Sequence, residues 1–253
     1  MTVSFLSFAL IVVFLAIPAF IISAFGLRLA SAAIRSVLRM LFFMVAVGTA
    51  LYFVTQTGNP LLDALFALIM VVLSATSITM QARLPLNRHF LTVLLGSALP
   101  TLAVAALVAL AFGGNEGGFS AHTFMLITGI LSCSIIVPCA KSVATYYAGL
   151  RNHGQLYYYL LGNGATRSEA LSYLHRRALT RSAMPDMRLM AAMFVGTVPF
   201  VFWCLALCGM SILAATTLQI LLLVASWCTS IVSTLCILLI ARRWGIDQYN
   251  RFK

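Results

Sequence analysis

The residues of this chain that could do chemistry gather first in a polar segment, 160–178, between long apolar runs. Gly162-Asn163-Gly164 supplies residues that tolerate positive φ and can end a helix. Thr166 and Glu169 stand three apart, the spacing at which a hydroxyl and a carboxylate satisfy each other's backbone amides at a helix start. The segment therefore predicts two helices joined by a tight bend, and a well-capped solvated loop is the simpler alternative.

A second set of useful side chains lies inside an apolar run, 123–140. Hydroxyls, a thiol and the carbonyl freed by a proline are the groups that could line a polar path between helices. These candidates are Thr128, Ser132, Cys133, Ser134 and Pro138. Interhelical hydrogen bonding or close packing is the alternative role of such residues, and it stays open.

Six cysteines and eleven methionines are the candidate ligands for a soft metal. Cys204 and Cys208 would share one face of a helix, with Met210 nearby, but no Cys-x-x-Cys or His-paired spacing occurs. Cysteine and methionine are also ordinary packing residues in helix interiors. We therefore expect no metal site and no structural disulfide.

No pattern in the chain predicts catalysis. It has only five acids and lacks the phosphate-binding Gly-x-x-x-x-Gly-Lys-Ser/Thr motif, so we expect neither an enzyme nor a cofactor in this chain. The net charge of +11 would fit nucleic acid only on a soluble basic groove with interleaved aromatics, which we do not expect here.

The elements that must position these residues are membrane helices. Hydrophobic residues make up 62% of the chain and charged residues 8%, with a mean hydropathy of +1.04, which excludes a soluble domain with a polar surface. Crossing a bilayer takes about 20 apolar residues per helix. We predict an all-α transmembrane bundle formed by one domain, 1–253. The seven predicted spans, the first of them retained rather than cleaved, are 3–25, 40–54, 61–81, 90–112, 123–140, 189–208 and 214–241.

Orientation follows from the basic residues. All 16 Lys and Arg follow spans one, three, five or seven, and none lies in the loops on the other side. Loops rich in Lys and Arg stay in the cytoplasm, so the N-terminus is predicted outside and the C-terminus inside.

The longest polar excursion, 142–188, is then a cytoplasmic helical hairpin. After the bend, Ala170, Leu171, Leu174 and Ala178 share one helix face, while Arg176, Arg177 and Arg181 point elsewhere. Met184-Pro185-Asp186 should end this helix before the sixth span. Separately, 27–36 predicts a short amphipathic helix that touches membrane lipid.

The hairpin resembles the cytoplasmic "EAA" loop by which ABC-transporter permeases dock on their ATPase subunit. The matching residues are Gly164-Ala165-Thr166, Ala170 and Pro185, with Tyr158-Tyr159-Leu160 where that loop begins with an acid. More broadly, the chain resembles the iron-export permease family of ABC transporters, which includes bacterial Fet-type permeases and plant relatives linked to aluminium tolerance. That likeness covers 35–48, "SITMQAR" at 77–83 and "RRWG" at 242–245.

The resemblance implies a multi-pass permease of the cytoplasmic (inner) membrane that exports a metal ion or another small solute. ATP and Mg would be bound by a partner ATPase, present in two copies, beneath two copies of this permease that form a homodimer. The ATPase-coupling residues would be Gly162, Gly164, Ala165, Thr166, Arg167, Glu169 and Ala170.

Two other functional classes remain open. An ion-coupled secondary transporter normally uses a carboxylate within the membrane, and we expect none of the five acids to lie deep in the bilayer. A membrane scaffold that transports nothing is the other alternative. Co-purification of a soluble P-loop ATPase would separate the first hypothesis from both.

Overall fold

The computed structural model describes residues 16, 30–113, 120–152, 154–192 and 200–244, whose regular secondary structure is entirely helical. The helices in these ranges are α1 (Ala30–Thr57), α2 (Pro60–Gln81), α3 (Leu86–Gly113), α4 (Ala121–Ser134), α5 (Ile136–Asn152), α6 (Gly154–Gly162), α7 (Arg167–Ala192), α8 (Phe200–Leu207) and α9 (Ile212–Trp244). The chain divides into two compact units, Met1–Gly58 and Asn59–Lys253.

Four of the described helices are long and apolar enough to cross a membrane, namely α1, α2, α3 and α9. The pair α4 and α5, bent by 41°, makes a fifth candidate if it is one broken span. α1, α2, α3 and α9 coincide with predicted spans two, three, four and seven, and the pair α4 and α5 coincides with predicted span five. The predicted first span, apart from residue 16, and 193–199 of the sixth lie outside the described residues. The long apolar helices make the chain a multi-pass membrane protein.

Predicted span 40–54 is short for a bilayer, which predicts a helix that starts earlier, within 28–39, and in the first unit α1 does begin at Ala30. Because no Pro or Gly interrupts 30–47, the helix runs on without a break. The separate short helix predicted over 27–36 is therefore wrong for its described part, which forms the first turns of α1. Phe42 is 71% exposed and Phe53 70%, so α1 carries large apolar side chains on its surface.

In the second unit, α9 is the central helix and packs against α3, α4, α5, α7 and α8. α9 approaches α3 closely at Gly96, and this contact requires a glycine. A Cβ on Gly96 would lie only 2.7 Å from the Cα and backbone N of Ile237. Gly96 is thus a helix-contact position of the small-residue type common in membranes. By contrast, a Cβ on Gly129 would meet nothing within 4 Å.

The core is made of small and branched residues at the helix crossings. One buried cluster joins α2, α3, α5 and α9, and includes Ile78, Val93, Val143 and Ile237. The outer surface is apolar as well, with Leu213 80% exposed. This arrangement suits lipid because helix association there depends on close packing rather than on removing apolar surface from water.

One predicted helix end is wrong. Pro185 does not stop the helix that starts after Thr166, because α7 continues through it to Ala192. Ser182 and Asp186, on either side of the proline, both bond to α9 and hold α7 against the bundle. Neighbouring helices of this kind let a membrane protein keep a proline inside a helix.

Candidate functional site

The bend between α6 and α7 is built by backbone hydrogen bonds. The Ala165 N–H donates to the Leu160 carbonyl at 3.0 Å, and the Gly164 N–H to the Leu161 carbonyl at 3.1 Å. This is the Schellman pattern, which needs a left-handed residue where Gly164 has φ +86°. Of the two predicted bend glycines, Gly164 therefore makes the turn, while Gly162 ends α6 without a positive φ.

The predicted capping box at the start of α7 is confirmed. The Thr166 N–H donates to Glu169 Oε2 at 2.8 Å, and the Glu169 N–H donates to Thr166 Oγ1 at 3.4 Å. The Thr166 hydroxyl also donates to Glu169 Oε2 at 2.8 Å. The backbone N–H and then the hydroxyl of Thr166 lower the pKa of the Glu169 carboxyl, because both bonds favour its charged form.

Removing the Glu169 side chain should loosen the start of α7. Glu169→Ala leaves the Thr166 amide without its acceptor, so we expect that amide to exchange with solvent faster than in the parent chain. Because the pKa of Glu169 is lowered in the folded chain, the capping box is intact at neutral pH. It is lost only as the pH falls through this lowered pKa. Hydrogen exchange followed by mass spectrometry measures this. Ser172→Ala, which removes a hydroxyl bonded only to the Glu169 carbonyl, is the control, and equal exchange in both variants would contradict the box.

Beneath the bend, α7 is anchored to the bundle through its predicted apolar face. Ala170, Leu171, Leu174 and Ala178 are all buried, in one cluster with Tyr146, Leu238 and Ala241. Arg176, Arg177 and Arg181 are exposed, as predicted. Arg242, at the end of α9, adds a hydrogen bond from Nη1 to Ser168 Oγ at 3.1 Å.

The structure divides the predicted coupling residues into an outer and an inner group. The outer group forms an exposed surface at the bend, called the presented edge. It consists of the exposed residues Gly162, Gly164, Thr166 and Glu169 and the half-buried Ala165. Ala170 is buried and supports the edge from inside the chain. The side chain of Arg167 lies outside the described residues.

The predicted path residues lie around the break between α4 and α5. Pro138 has no N–H for the Ser134 carbonyl, and the 41° bend falls one turn before the proline, as a proline bend should. Thr128 and Ser132 are buried, whereas Ser134 is half-buried and Cys133 is exposed. The structure therefore brings Thr128, Ser132 and Pro138 into the bundle interior and leaves Cys133 on its outer surface.

Sequence reasoning missed a polar cluster between α5, α7 and α9. Ser230 donates from Oγ to Asp186 Oδ2 at 2.6 Å. Ser182 Oγ lies 2.7 Å from Thr234 Oγ1 and donates to the Ser230 carbonyl at 3.2 Å. Cys139 Sγ of α5 lies 3.6 Å from Thr234 Oγ1. The cluster is buried except at Asp186, which is half-buried.

This cluster corrects the expectation that Asp186 lies in a helix break before the sixth span. Asp186 sits inside α7 rather than in a loop, and Ser230 lies near the middle of predicted span 214–241. A sequence signal for it did exist, since Ser182 and Asp186, like Ser230 and Thr234, are spaced four apart and so share a helix face.

The described residues contain no group of three or more His, Cys, Asp or Glu side chains that could hold a metal ion. Cys204 is half-buried and Cys208 exposed on the short helix α8 and the turn after it. The pair shares only a backbone bond, from the Cys208 N–H to the Cys204 carbonyl.

Comparison with known proteins gives one family match. No curated protein and no solved structure matches the chain. The model of the uncharacterised protein family UPF0014 matches residues 5–244, nearly the whole chain. That match includes the bend, the capping box and the polar cluster alike, and on this extent the chain belongs to the UPF0014 family.

Proposed function

We propose that the chain is the transmembrane permease subunit of an ABC transporter, which exports a metal ion or another small solute from the cytoplasm across the inner membrane. A separate ATPase, in two copies with ATP and Mg, docks on the bend between α6 and α7. Two copies of the permease form the transport path as a homodimer. The likeness of the bend to the ABC-permease docking loop and the extent of the UPF0014 match support this function.

The observation that carries the proposal is the continuity of α7. Its first turn forms the presented edge at Thr166 and Glu169, and its later turns bond to Ser230 and Thr234 in the middle of α9. From Arg167 to Asp186 the helix extends about 28 Å, at 1.5 Å per residue. One rigid element thus joins a surface that a partner can move to a polar cluster inside the bundle.

The experiment replaces each bend glycine in turn with valine. Both positions have open space around an added Cβ, but only Gly164 has a positive φ, which a β-branched residue adopts at high cost. With a candidate ABC ATPase from the same genome co-expressed, Gly164→Val should remain in the membrane and lower coupled ATPase activity by about tenfold or more. Gly162→Val should retain most activity.

The readouts are recovery of the ATPase with the tagged permease and stimulation of its activity in proteoliposomes, with divalent metals and amphiphiles as the test solutes. Normal docking and stimulation in Gly164→Val would contradict the role of the bend. Absence of an ATPase partner would contradict the class of transporter, and activity that does not respond to metals would contradict metal export.

An ion-coupled secondary transporter is the second candidate, and Asp186 is the observation that favours it. A half-buried carboxylate at mid-span depth is the group such transporters use to bind and release an ion. Solute movement driven by an ion gradient in vesicles without ATP, and its loss in Asp186→Asn, would support this candidate over the first.

A further inference from the structure

A small cavity lies between α5 and α7, near the end of the bundle that carries the bend. Its volume is about 210 Å³, and it is lined by Thr145, Ala148, Gly149, Asn152, Arg177 and Arg181. Two guanidinium groups and an amide give it several hydrogen-bond donors, which suits a small anion. Gly149 permits the close approach of α7 beside the cavity, because a Cβ there would lie 2.6 Å from Leu174 Cδ2.

A second cavity of about 460 Å³ lies across α5 and is lined in part by Arg83, Tyr147 and Arg151. Ala148 and Asn152 line both cavities, so the two adjoin each other at the end of α5, and together they are called the basic groove. The groove holds four arginines, and the fork of each guanidinium matches the oxygens of a phosphate group.

The arginines of the basic groove have no carboxylate partner within the described part of the chain. The three described acids are placed elsewhere. Glu169 is held in the capping box, Asp186 bonds to Ser230, and Asp63 lies in the first turn of α2, at the opposite end of that helix from Arg83. The positive charge of the groove is therefore uncompensated by these residues and available to an anion.

Arg83 adds an observation of another kind. It has φ +57°, in the left-handed region, where it closes a Schellman turn with the Leu84 N–H bonded to the Thr79 carbonyl. Glycine occupies such positions at no cost, whereas an arginine there costs about 1–2 kcal/mol. A strained backbone conformation that is kept beside a cavity indicates that the arginine side chain has a role there, in addition to the role of the residue in the turn.

The setting of the groove favours a lipid as the source of the anion. Along α5, Lys141 and Val137 precede the half-buried Thr145 at spacings of four and are both exposed, so Lys141 adds a further cation on this side of the helix. Apolar side chains also line the groove, because Ala82, Leu84 and Ala144 lie beside the arginines of the second cavity. We propose that the basic groove binds the phosphate headgroup of an acidic phospholipid, with the first part of an acyl chain against these apolar side chains.

The test uses the full chain in nanodiscs of phosphatidylcholine, with or without phosphatidylglycerol. Phosphatidylglycerol should raise the thermal unfolding midpoint and remain bound in native mass spectrometry. The double variant Arg177→Gln/Arg181→Gln should bind it about tenfold more weakly, since two charge-assisted contacts are lost. The matched control is Arg176→Gln, an exposed arginine of the same helix that lines neither cavity and should behave as the parent chain.

A second variant distinguishes weaker lipid binding from a folding defect. Arg83→Gly relieves the left-handed strain, so it should raise the unfolding midpoint in phosphatidylcholine alone and lower the added effect of phosphatidylglycerol. An unchanged lipid effect in both groove variants would overturn the proposal. Equal stabilisation by inorganic phosphate, without retained phosphatidylglycerol, would overturn the lipid in favour of a soluble phosphate. None of these outcomes depends on an ATPase, so the proposed function is tested separately.

Discussion

Gly96→Val is expected to prevent the second unit from folding. The valine Cβ would lie 2.6 Å from Ile237 Cγ1 and 2.7 Å from two backbone atoms of Ile237, and the remaining methyl groups have still less room. A side-chain tip could turn away, but backbone atoms of α9 move only with the whole helix. Because α9 is the central helix, its displacement would disturb the packing of α3, α4, α5 and α7 together.

The size of the effect follows from overpacking. Added methylenes in a packed core cost about 1–3 kcal/mol when side chains can adjust, and contact with backbone exceeds that range. Gly96→Ala should therefore lower the thermal unfolding midpoint, and Gly96→Val should leave little monodisperse protein after extraction. Gly129→Val is the control, because a Cβ there meets nothing within 4 Å. Equal yields of the two valine variants would mean that α3 and α9 are further apart than the structure shows.

Asp186→Ala is expected to cause the largest loss of transport among variants that still fold. The change removes a carboxylate that accepts a 2.6 Å hydrogen bond from Ser230 in the middle of α9. Hydrogen bonds to charged groups contribute about 1.5–3 kcal/mol, which corresponds to roughly tenfold or more in rate. Stimulation of the co-expressed ATPase by Fe²⁺ in proteoliposomes, which assumes the proposed metal export, measures the loss.

Two further variants separate the charge of Asp186 from its hydrogen bond. Asp186→Asn keeps an acceptor oxygen and removes the charge, and we expect it to be as defective as the alanine variant because the carboxylate is the group that attracts a cation. Activity at the parental level in Asp186→Asn would mean that Asp186 only positions α7. Ser226→Ala is the hydroxyl control on α9, since Ser226 bonds only within its own helix, to the Leu223 carbonyl.

Local sequence predicted the bend between α6 and α7 well. Positive φ at a glycine and the reciprocal bonds between Thr166 and Glu169 depend on residues within five positions of one another, so no distant contact is needed to favour them. The buried face of α7 was predictable for the same reason, because helical spacing alone places Leu171, Leu174 and Ala178 together.

Pro185 shows where local reasoning fails. In water a proline ends most helices, and the prediction applied that rule. Here hydrogen bonds from Ser182 and to Asp186 hold α7 against α9 on both sides of the proline. Whether the helix continues through the proline depends on hydrogen-bond partners 44 to 52 positions away in the chain. Residue spacing within the segment therefore could not predict it. The same error placed Asp186 in a loop and hid the polar cluster.

The sequence by itself determined that this is a helical membrane protein and which residues form the bend, because hydropathy, turn residues and capping residues are properties of each segment alone. Only the tertiary structure decided that Asp186 meets Ser230, that Cys133 faces outward while Ser132 is buried, and that Arg83, Arg151, Arg177 and Arg181 line one groove. Those facts depend on how α5, α7 and α9 are rotated about their axes, and packing between distant segments sets that rotation.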